Sequence, residues 1–203
     1  MNAKVHREVE KKIARIKKGQ LIFLSDFRGL GTEVAVRKAL SRLTREGKLK
    51  RVAQGIYLVP KKDPVFGDII PSTENIVEGI AKREHIRIKP VGAFAMHKLG
   101  LTTQVPMKLV YLTDGAARVL KIGKSTVKFK RTTPKKLSLE GKLSSLIIQA
   151  LDEIGIENLE DNQIERIKEL LLKEDRRSLM HDIKLASVEV SNFLLGLLKE
   201  KTL

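Results

Sequence analysis

The reading turns on the stretch Thr32-Glu33-Val34-Ala35-Val36-Arg37-Lys38-Ala39-Leu40-Ser41-Arg42-Leu43-Thr44-Arg45-Glu46-Gly47-Lys48-Leu49-Lys50-Arg51-Val52-Ala53-Gln54-Gly55-Ile56-Tyr57-Leu58-Val59-Pro60. Val36, Leu40 and Leu43 fall at i, i+4 and i+7 with Ala39 beside them, the apolar stripe of a helix. At about 100° per residue the opposite face carries Val34, Lys38, Ser41 and Arg45, with Arg37 and Arg42 at its edges. Thr32 is a suitable N-cap, so the spacing predicts a helix over 33–46, closed by Gly47. Beyond the glycine, 49–52 and 56–59 read as short strands around Ala53-Gln54-Gly55, stopped at Pro60. A helix with one core face and one donor-rich face thus leads into a basic hairpin.

Upstream, Val5, Val9, Ile13 and Ile16 form a second helical stripe among Lys4, Arg7, Lys11, Lys12, Arg15, Lys17 and Lys18, ended by Gly19. Leu21-Ile22-Phe23-Leu24 is a short apolar entry. Ser25 or Asp26 can cap a short helix through Leu30, and Gly31-Thr32 makes a tight turn. Helix, short helix, turn, basic helix and hairpin is the order of a winged helix-turn-helix, assigned to residues 1–62. In such a module a helix fits the major groove, its outward side chains read base edges, and the wing grips phosphates. The expected DNA-contacting residues are Thr32, Val34, Arg37, Lys38, Ser41, Arg42, Arg45, Lys48, Lys50, Arg51 and Gln54.

Charge supports that assignment. The 203 residues carry 40 Lys+Arg against 24 Asp+Glu, a formal net charge of +16. Residues 1–68 hold 17 basic and 7 acidic side chains, 69–137 hold 14 and 4, and 138–203 hold 9 and 13. Two thirds of the chain therefore matches a polyanion, and the last third does not. A membrane surface is disfavoured as partner, because the first helix sets only Val and Ile opposite its Lys/Arg face. The absence of cysteine excludes a disulfide scaffold, thiolate metal sites and cysteine nucleophiles. No apolar run approaches the length of a membrane span and no signal peptide is visible, so a soluble, cytoplasmic protein is expected.

Residues 61–71 are Pro- and Gly-containing and read as a linker. A mixed domain over 69–203 should follow, with a helix and a small sheet over 69–137 and helices over 138–203. Within it 74–84 is a helix with Ile76, Ile80 and Ala81 inward. Residues 92–100 form a packed helix, 108–112 a strand, and 119–122 with 126–129 a hairpin about Gly123. The last strand is expected to expose Lys128, Lys130 and Arg131 as a second basic surface; charge on a strand edge also guards against pairing. From Ser138, Leu139, Leu143, Leu146, Ile147, Ala150, Leu151 and Ile154 make one helical stripe. Asp161 can cap the next helix, and 187–199 a last one. The fold class is α+β.

Catalytic motifs are missing. His6, His85, His97 and His181 are scattered, and neither phosphate-binding glycine motif occurs. His97, beside an apolar run, reads as a satisfied core or surface histidine. The nearest nuclease-like pattern is Asp114 upstream of Glu140-Gly141-Lys142, which could hold Mg²⁺. Glu140 falls in the expected first turn of a helix, where an acid favours the positive helix end without any metal. No enzyme activity, metal or cofactor is expected.

The helix Val36-Arg37-Lys38-Ala39-Leu40-Ser41-Arg42-Leu43 and the wing Gly47…Lys50-Arg51-Val52…Gly55-Ile56-Tyr57 resemble the winged-helix region of the AbiEi-like antitoxins. Gly92-Ala93-Phe94-Ala95-Met96-His97-Lys98-Leu99-Gly100-Leu101-Thr102-Thr103-Gln104-Val105-Pro106 is similar to that family's alanine-rich helix and G-L-T-x-Q-x-P passage, the more specific of the two. The resemblance implies a transcriptional autorepressor that binds inverted repeats in its own promoter. It also implies the antitoxin of a type IV toxin–antitoxin, abortive-infection system. The functional partner would be a nucleotidyltransferase-type toxin, which the antitoxin can oppose without binding it. Two other readings of the residues stay open: an ordinary winged-helix regulator with a ligand-sensing or dimerising C-terminal domain, and, more remotely, a DNA-associated nuclease.

Overall fold

The computed structural model describes residues 2–65 and 67–199. The chain is α+β and divides into two compact units, residues 1–83 with 120–124, and residues 84–119 with 125–203. The division falls after Arg83 rather than near residue 65.

The first unit opens with helix α1 (Asn2–Ala14), then strand β1 (Leu21–Phe23) and a 3-10 turn, Leu24–Phe27. Helix α2 (Glu33–Arg45) and strands β2 (Lys50–Ala53) and β3 (Ile56–Leu58) complete the winged-helix order. The three strands form a sheet β1-β3-β2, with β3 antiparallel to both neighbours. Val9, Ile13, Ile22, Phe27, Val36, Leu40, Leu43 and Leu49 close one apolar core beneath them. At roughly 1.5–3 kcal/mol per fully buried aliphatic or aromatic side chain, this core holds both helices on the sheet.

The short second helix expected through Leu30 is only the 3-10 turn. Asp26 does not cap it from outside; its Oδ2 accepts from the Phe23 N–H at 2.8 Å. The chain then passes Gly31, where an added Cβ would lie 2.7 Å from Val5 Cγ2. That close approach seats the turn against α1, and only a residue without a side chain fits it.

The linker expected over 61–71 is instead a ribbon of β4 (Lys61–Asp63) and β5 (Gly67–Ile69), antiparallel, with Asp63 opposite Gly67. Asp63 Oδ1 accepts from the Val65 N–H at 2.9 Å, so the Asp-Pro pair starts a turn rather than a flexible tether. Helix α3 (Thr73–Glu84) buries Ile76, Val77, Ile80 and Ala81.

A four-stranded sheet is formed by β6 (Ile88–Val91), β7 (Lys108–Thr113), β8 (Arg118–Ile122) and β9 (Ser125–Arg131), in the order β6-β7-β9-β8; β6, β7 and β9 belong to the second unit, and residues 120–122 of β8 count with the first. β6 and β7 are antiparallel, while β7 and β9 are parallel with Lys108 beside Thr126, Val110 beside Lys128 and Leu112 beside Lys130. Helix α4 (Ala93–Leu99) ends at Gly100, and Phe94 meets the Tyr111 ring at 5.4 Å. Helices α5 (Pro134–Leu137), α6 (Ser144–Ile154), α7 (Asp161–Leu171), α8 (Arg176–Leu185) and α9 (Val188–Lys199) follow. Ala95, Leu99, Ile147, Leu151, Ile167, Ile183 and Leu194 make the core they share.

Two helix starts differ from the sequence reading. α6 begins at Ser144, and Glu140 lies in the loop before it rather than in a first helical turn. At the start of α7 the N-cap is Glu160, whose N–H donates to Gln163 Oε1 at 3.1 Å; Asp161 is already inside the helix.

Candidate nucleic-acid interface

Helix α2 starts at Thr32, whose Oγ1 accepts from the Ala35 N–H at 3.3 Å. Such a cap contributes typically about 1 kcal/mol and fixes the first turn. Because Val36, Ala39, Leu40 and Leu43 are buried, the remaining positions are forced outward. Val34, Arg37, Lys38, Ser41, Arg42 and Arg45 are all exposed, as the periodicity predicts. Val34 is 63% exposed, an apolar side chain standing among hydroxyl and cationic neighbours.

These cations differ in what they already hold. Arg37 donates from Nε and Nη2 to Glu33 Oε1 at 2.8 and 2.6 Å. Lys38, Arg42 and Arg45 have no ion-pair partner among the described residues. An exposed i,i+4 pair is worth about 0.3–0.5 kcal/mol, so Arg37 can exchange Glu33 for a phosphate at small cost.

The wing is short and tightly built. A two-residue turn, Gln54-Gly55, joins β2 to β3, with Gly55 at φ +73° and Gln54 exposed at the tip. The Leu24 N–H donates to Gly55 O at 3.0 Å, pinning the turn. The register jumps between Arg51 and Ala53, so Val52 is a bulge residue and β2 bends there. Lys50 and Arg51 are exposed at the start of that strand. Arg51 Nε donates to Ala53 O at 3.4 Å, and Lys50 has no partner among the described residues.

Lys48 is the exception among the expected contact residues. Its ammonium is held by Glu10 of α1 and by Glu46, the latter at 3.1 Å. Hydrogen bonds that Lys48 donates to those two carboxylates raise its pKa above the ordinary lysine value. Its bond to Lys48 draws the Glu10 carboxyl below the usual range. Lys48 is thus engaged in joining α1 to the end of α2. Sequence spacing does not reveal this, because Glu10 lies 38 residues upstream.

The second basic surface does not form as one patch. In β9, Val127 and Phe129 are buried, so alternation puts Lys128 and Lys130 on one face and Arg131 on the other. Lys128 and Lys130 are half-buried, and Lys130 lies 3.8 Å from Glu153. The adjacent Lys108 of β7 joins their face, a residue that the sequence reading passed over.

Of the nuclease-like residues, Asp114 is otherwise engaged. Asp114 accepts from the Arg87 N–H and Nε, both at 2.8 Å, and the Arg87 guanidinium holds its carboxyl below the usual carboxylate range. Among the described residues no group of three or more His, Asp or Glu is placed to hold a metal ion. His97 is not the satisfied histidine expected, because its Nδ1 is buried with no hydrogen-bond partner. No helix among the described residues is long and apolar enough to cross a membrane.

The best-ordered polar cluster was not foreseen at all. Asp182, fully buried, accepts from the Glu140 N–H at 2.7 Å, the Gly141 N–H at 3.0 Å and Ser144 Oγ at 2.6 Å. Glu174 Oε2 accepts from the N–H groups of Leu143 and Ser144, at 2.5 and 2.9 Å. Two carboxylates from the far end of the chain therefore cap α6 and fix the loop before it. Nearby, Lys89 Nζ donates to Leu139 O at 2.6 Å, and burial lowers its pKa below the ordinary lysine value.

Fold and surface together define a two-unit α+β protein whose first unit has winged-helix order and a cationic outward helix. Residues 8–179 match a family described as a family of unknown function, DUF6088, and the chain belongs to that family. No curated protein matches it.

Proposed function

We propose that this protein is a sequence-specific duplex-DNA-binding transcriptional regulator, acting through α2 and the β2–β3 wing. One observation carries the reading: Lys38, Ser41, Arg42 and Arg45 stand exposed on the outward face of a capped helix, and none of the three cations has an ion-pair partner among the described residues. A solvated charged face is the common outcome for a surface helix. Here it is followed directly by a short hairpin with Lys50 and Arg51 exposed, which is the arrangement a phosphate-gripping wing requires. Base edges would be read by Lys38, Ser41 and Arg45, with Val34 suited to a thymine methyl group. Arg37, Arg42, Lys50 and Arg51 would hold phosphates.

The test is a binding titration on the protein's own upstream region against an unrelated duplex. Lys38→Ala should cost about 1–3 kcal/mol on the specific site and little on the unrelated one. Arg51→Ala should weaken both equally, because a phosphate contact carries no base information. No shift with either duplex overturns the proposal.

A narrower form of the reading is autorepression coupled to antitoxin activity against a nucleotidyltransferase-type toxin. What supports it is the resemblance of residues 92–106 to the AbiEi-like antitoxins. In the structure this passage is α4, its Gly100 end and a turn in which Thr102 Oγ1 accepts from the Gln104 N–H at 3.2 Å. The gene next to this chain's own tests it: if that gene encodes a nucleotidyltransferase-like toxin, restored growth on co-expression supports the antitoxin role, and absence of such a gene or undiminished toxicity removes it.

A further inference from the structure

The second unit carries a cleft of about 520 Å³ over the β7–β9 step of its sheet. Its floor holds Val91, Val110 and Lys128, with Lys108 and Lys130 beside them. The Pro106-Met107 segment forms an apolar side, on which Met107 is 64% exposed, while the buried Phe94 ring packs on Tyr111 instead. Glu153 lies at the other side, 3.8 Å from Lys130. Lys108 and Lys128 have no partner among the described residues. The passage 92–106 supplies the cleft at both of its ends, through Gly92, Ala93 and Phe94 and again through Pro106.

We propose that this cleft binds a small phosphate monoester with an apolar or planar body, of the nucleoside monophosphate class. Three ammonium groups and one carboxylate leave a local charge of about +2, and a monoester near neutral pH carries roughly −1.5 to −2. Lysines serve phosphate as point charges, and the stems of Lys108 and Lys128 rise from adjacent strands, so two cations can meet one phosphate. The volume lies within the roughly 300–1,000 Å³ of small-molecule sites, and a few polar groups among apolar walls is their usual composition. Pro106 and the exposed Met107 provide the surface for the body. Glu153 offers an acceptor to its hydroxyl or amino groups and repels a second phosphate, which favours a monoester over a polynucleotide track. The proposal concerns the second unit alone and does not rest on the DNA reading; failure of DNA binding would leave it standing.

The experiment is calorimetric titration of the full chain with AMP, GMP, CMP and UMP, with the four parent nucleosides, with inorganic phosphate, and with a single-stranded oligonucleotide. At least one monophosphate should bind at one per chain, while its nucleoside and inorganic phosphate each bind about tenfold or more weakly. Lys128→Gln should weaken that binding about tenfold or more, and Lys124→Gln in the hairpin turn should leave it unchanged. If Lys128→Gln alters the circular dichroism spectrum, Lys108→Gln serves in its place with the same expected loss. Three results overturn the proposal: no heat from any monophosphate, equal binding by inorganic phosphate, or binding indifferent to both lysine variants. Binding of the oligonucleotide alone also overturns it, and makes the cleft a polymer contact.

Discussion

Salt dependence gives the sharpest test of the proposed DNA surface, because the structure separates cations that spacing alone groups together. Arg42 and Lys50 are exposed and unpaired among the described residues, Arg51 touches only a carbonyl, and Arg37 is held by one exposed carboxylate. If those four meet phosphates, the slope of log K against log[salt] is about −3.6 per chain. A fourfold rise in salt, such as about 50 to 200 mM, then weakens binding roughly 150-fold. Lys50→Ala should reduce the slope by about 0.9. Lys48→Ala should leave it unchanged, because Glu10 and Glu46 already occupy that ammonium. Fluorescence anisotropy on one labelled duplex across a salt series measures all three slopes. Equal losses from Lys48→Ala and Lys50→Ala, or a wild-type slope shallower than about −2, would refute the assignment of these contacts.

Other expectations concern what holds each unit together. Asp182→Ala should cost about 3–5 kcal/mol, because it strands two backbone N–H groups and the Ser144 hydroxyl in the interior. Asp182→Asn should cost less, since Ser144 or His181 can turn to accept while one backbone donor is lost. Urea unfolding followed by circular dichroism ranks them, and a cost below about 1 kcal/mol for the alanine variant contradicts the clamp. Gly31→Ala places a methyl group against Val5 and should destabilise by about 1–3 kcal/mol, partly recovered by adding Val5→Ala; no recovery in the double variant would mean that the strain lies elsewhere. Lys89 has a folded pKa below its unfolded value, so the unfolded chain binds more protons between the two. Its contribution to stability therefore rises with pH through that alkaline window. The wild type minus Lys89→Gln difference in urea midpoint should grow toward pH 10, and a difference that shrinks contradicts the burial argument.

The elements legible in the sequence were those set by local periodicity. Val36, Leu40 and Leu43 located α2 to within a residue, and the same stripe dictated which side chains face out. Gly47 and Gly100 marked real ends, because each takes a positive φ that other residues avoid, whereas α1 stops at Ala14 and Gly19 lies beyond it, its N–H donating to Val59 O at 2.8 Å. Local pattern misled where a distant group intervened. The apolar stripe from Leu139 continues through 154, yet the helix starts only at Ser144. At Gly141 a Cβ would lie 2.0 Å from Ser144 Oγ, and the loop's donors are taken by residues 174 and 182. The ion pair of Lys48 was out of reach for the same reason, its partner Glu10 being on α1. Lys128, Lys130 and Arg131 are neighbours in sequence, but a strand sends alternate side chains to opposite faces, so the three do not share one surface. Lys108 was beyond reach, since the parallel β7–β9 pairing leaves no signature in spacing.

The carboxylate clamp on α6 also sets an order of events during synthesis. Gly141 and Asp182 are 41 residues apart, so the loop and the first turn of α6 leave the ribosome well before their acceptors exist. Until Glu174 and Asp182 follow, the donors of residues 140, 141, 143 and 144 can be served only by water, and that end of the helix cannot be buried without loss. The cap of α6 can therefore form only after Glu174 and Asp182 have been made. A chain cut short before Glu174 would keep every strand of the sheet and still lack the means to finish the unit.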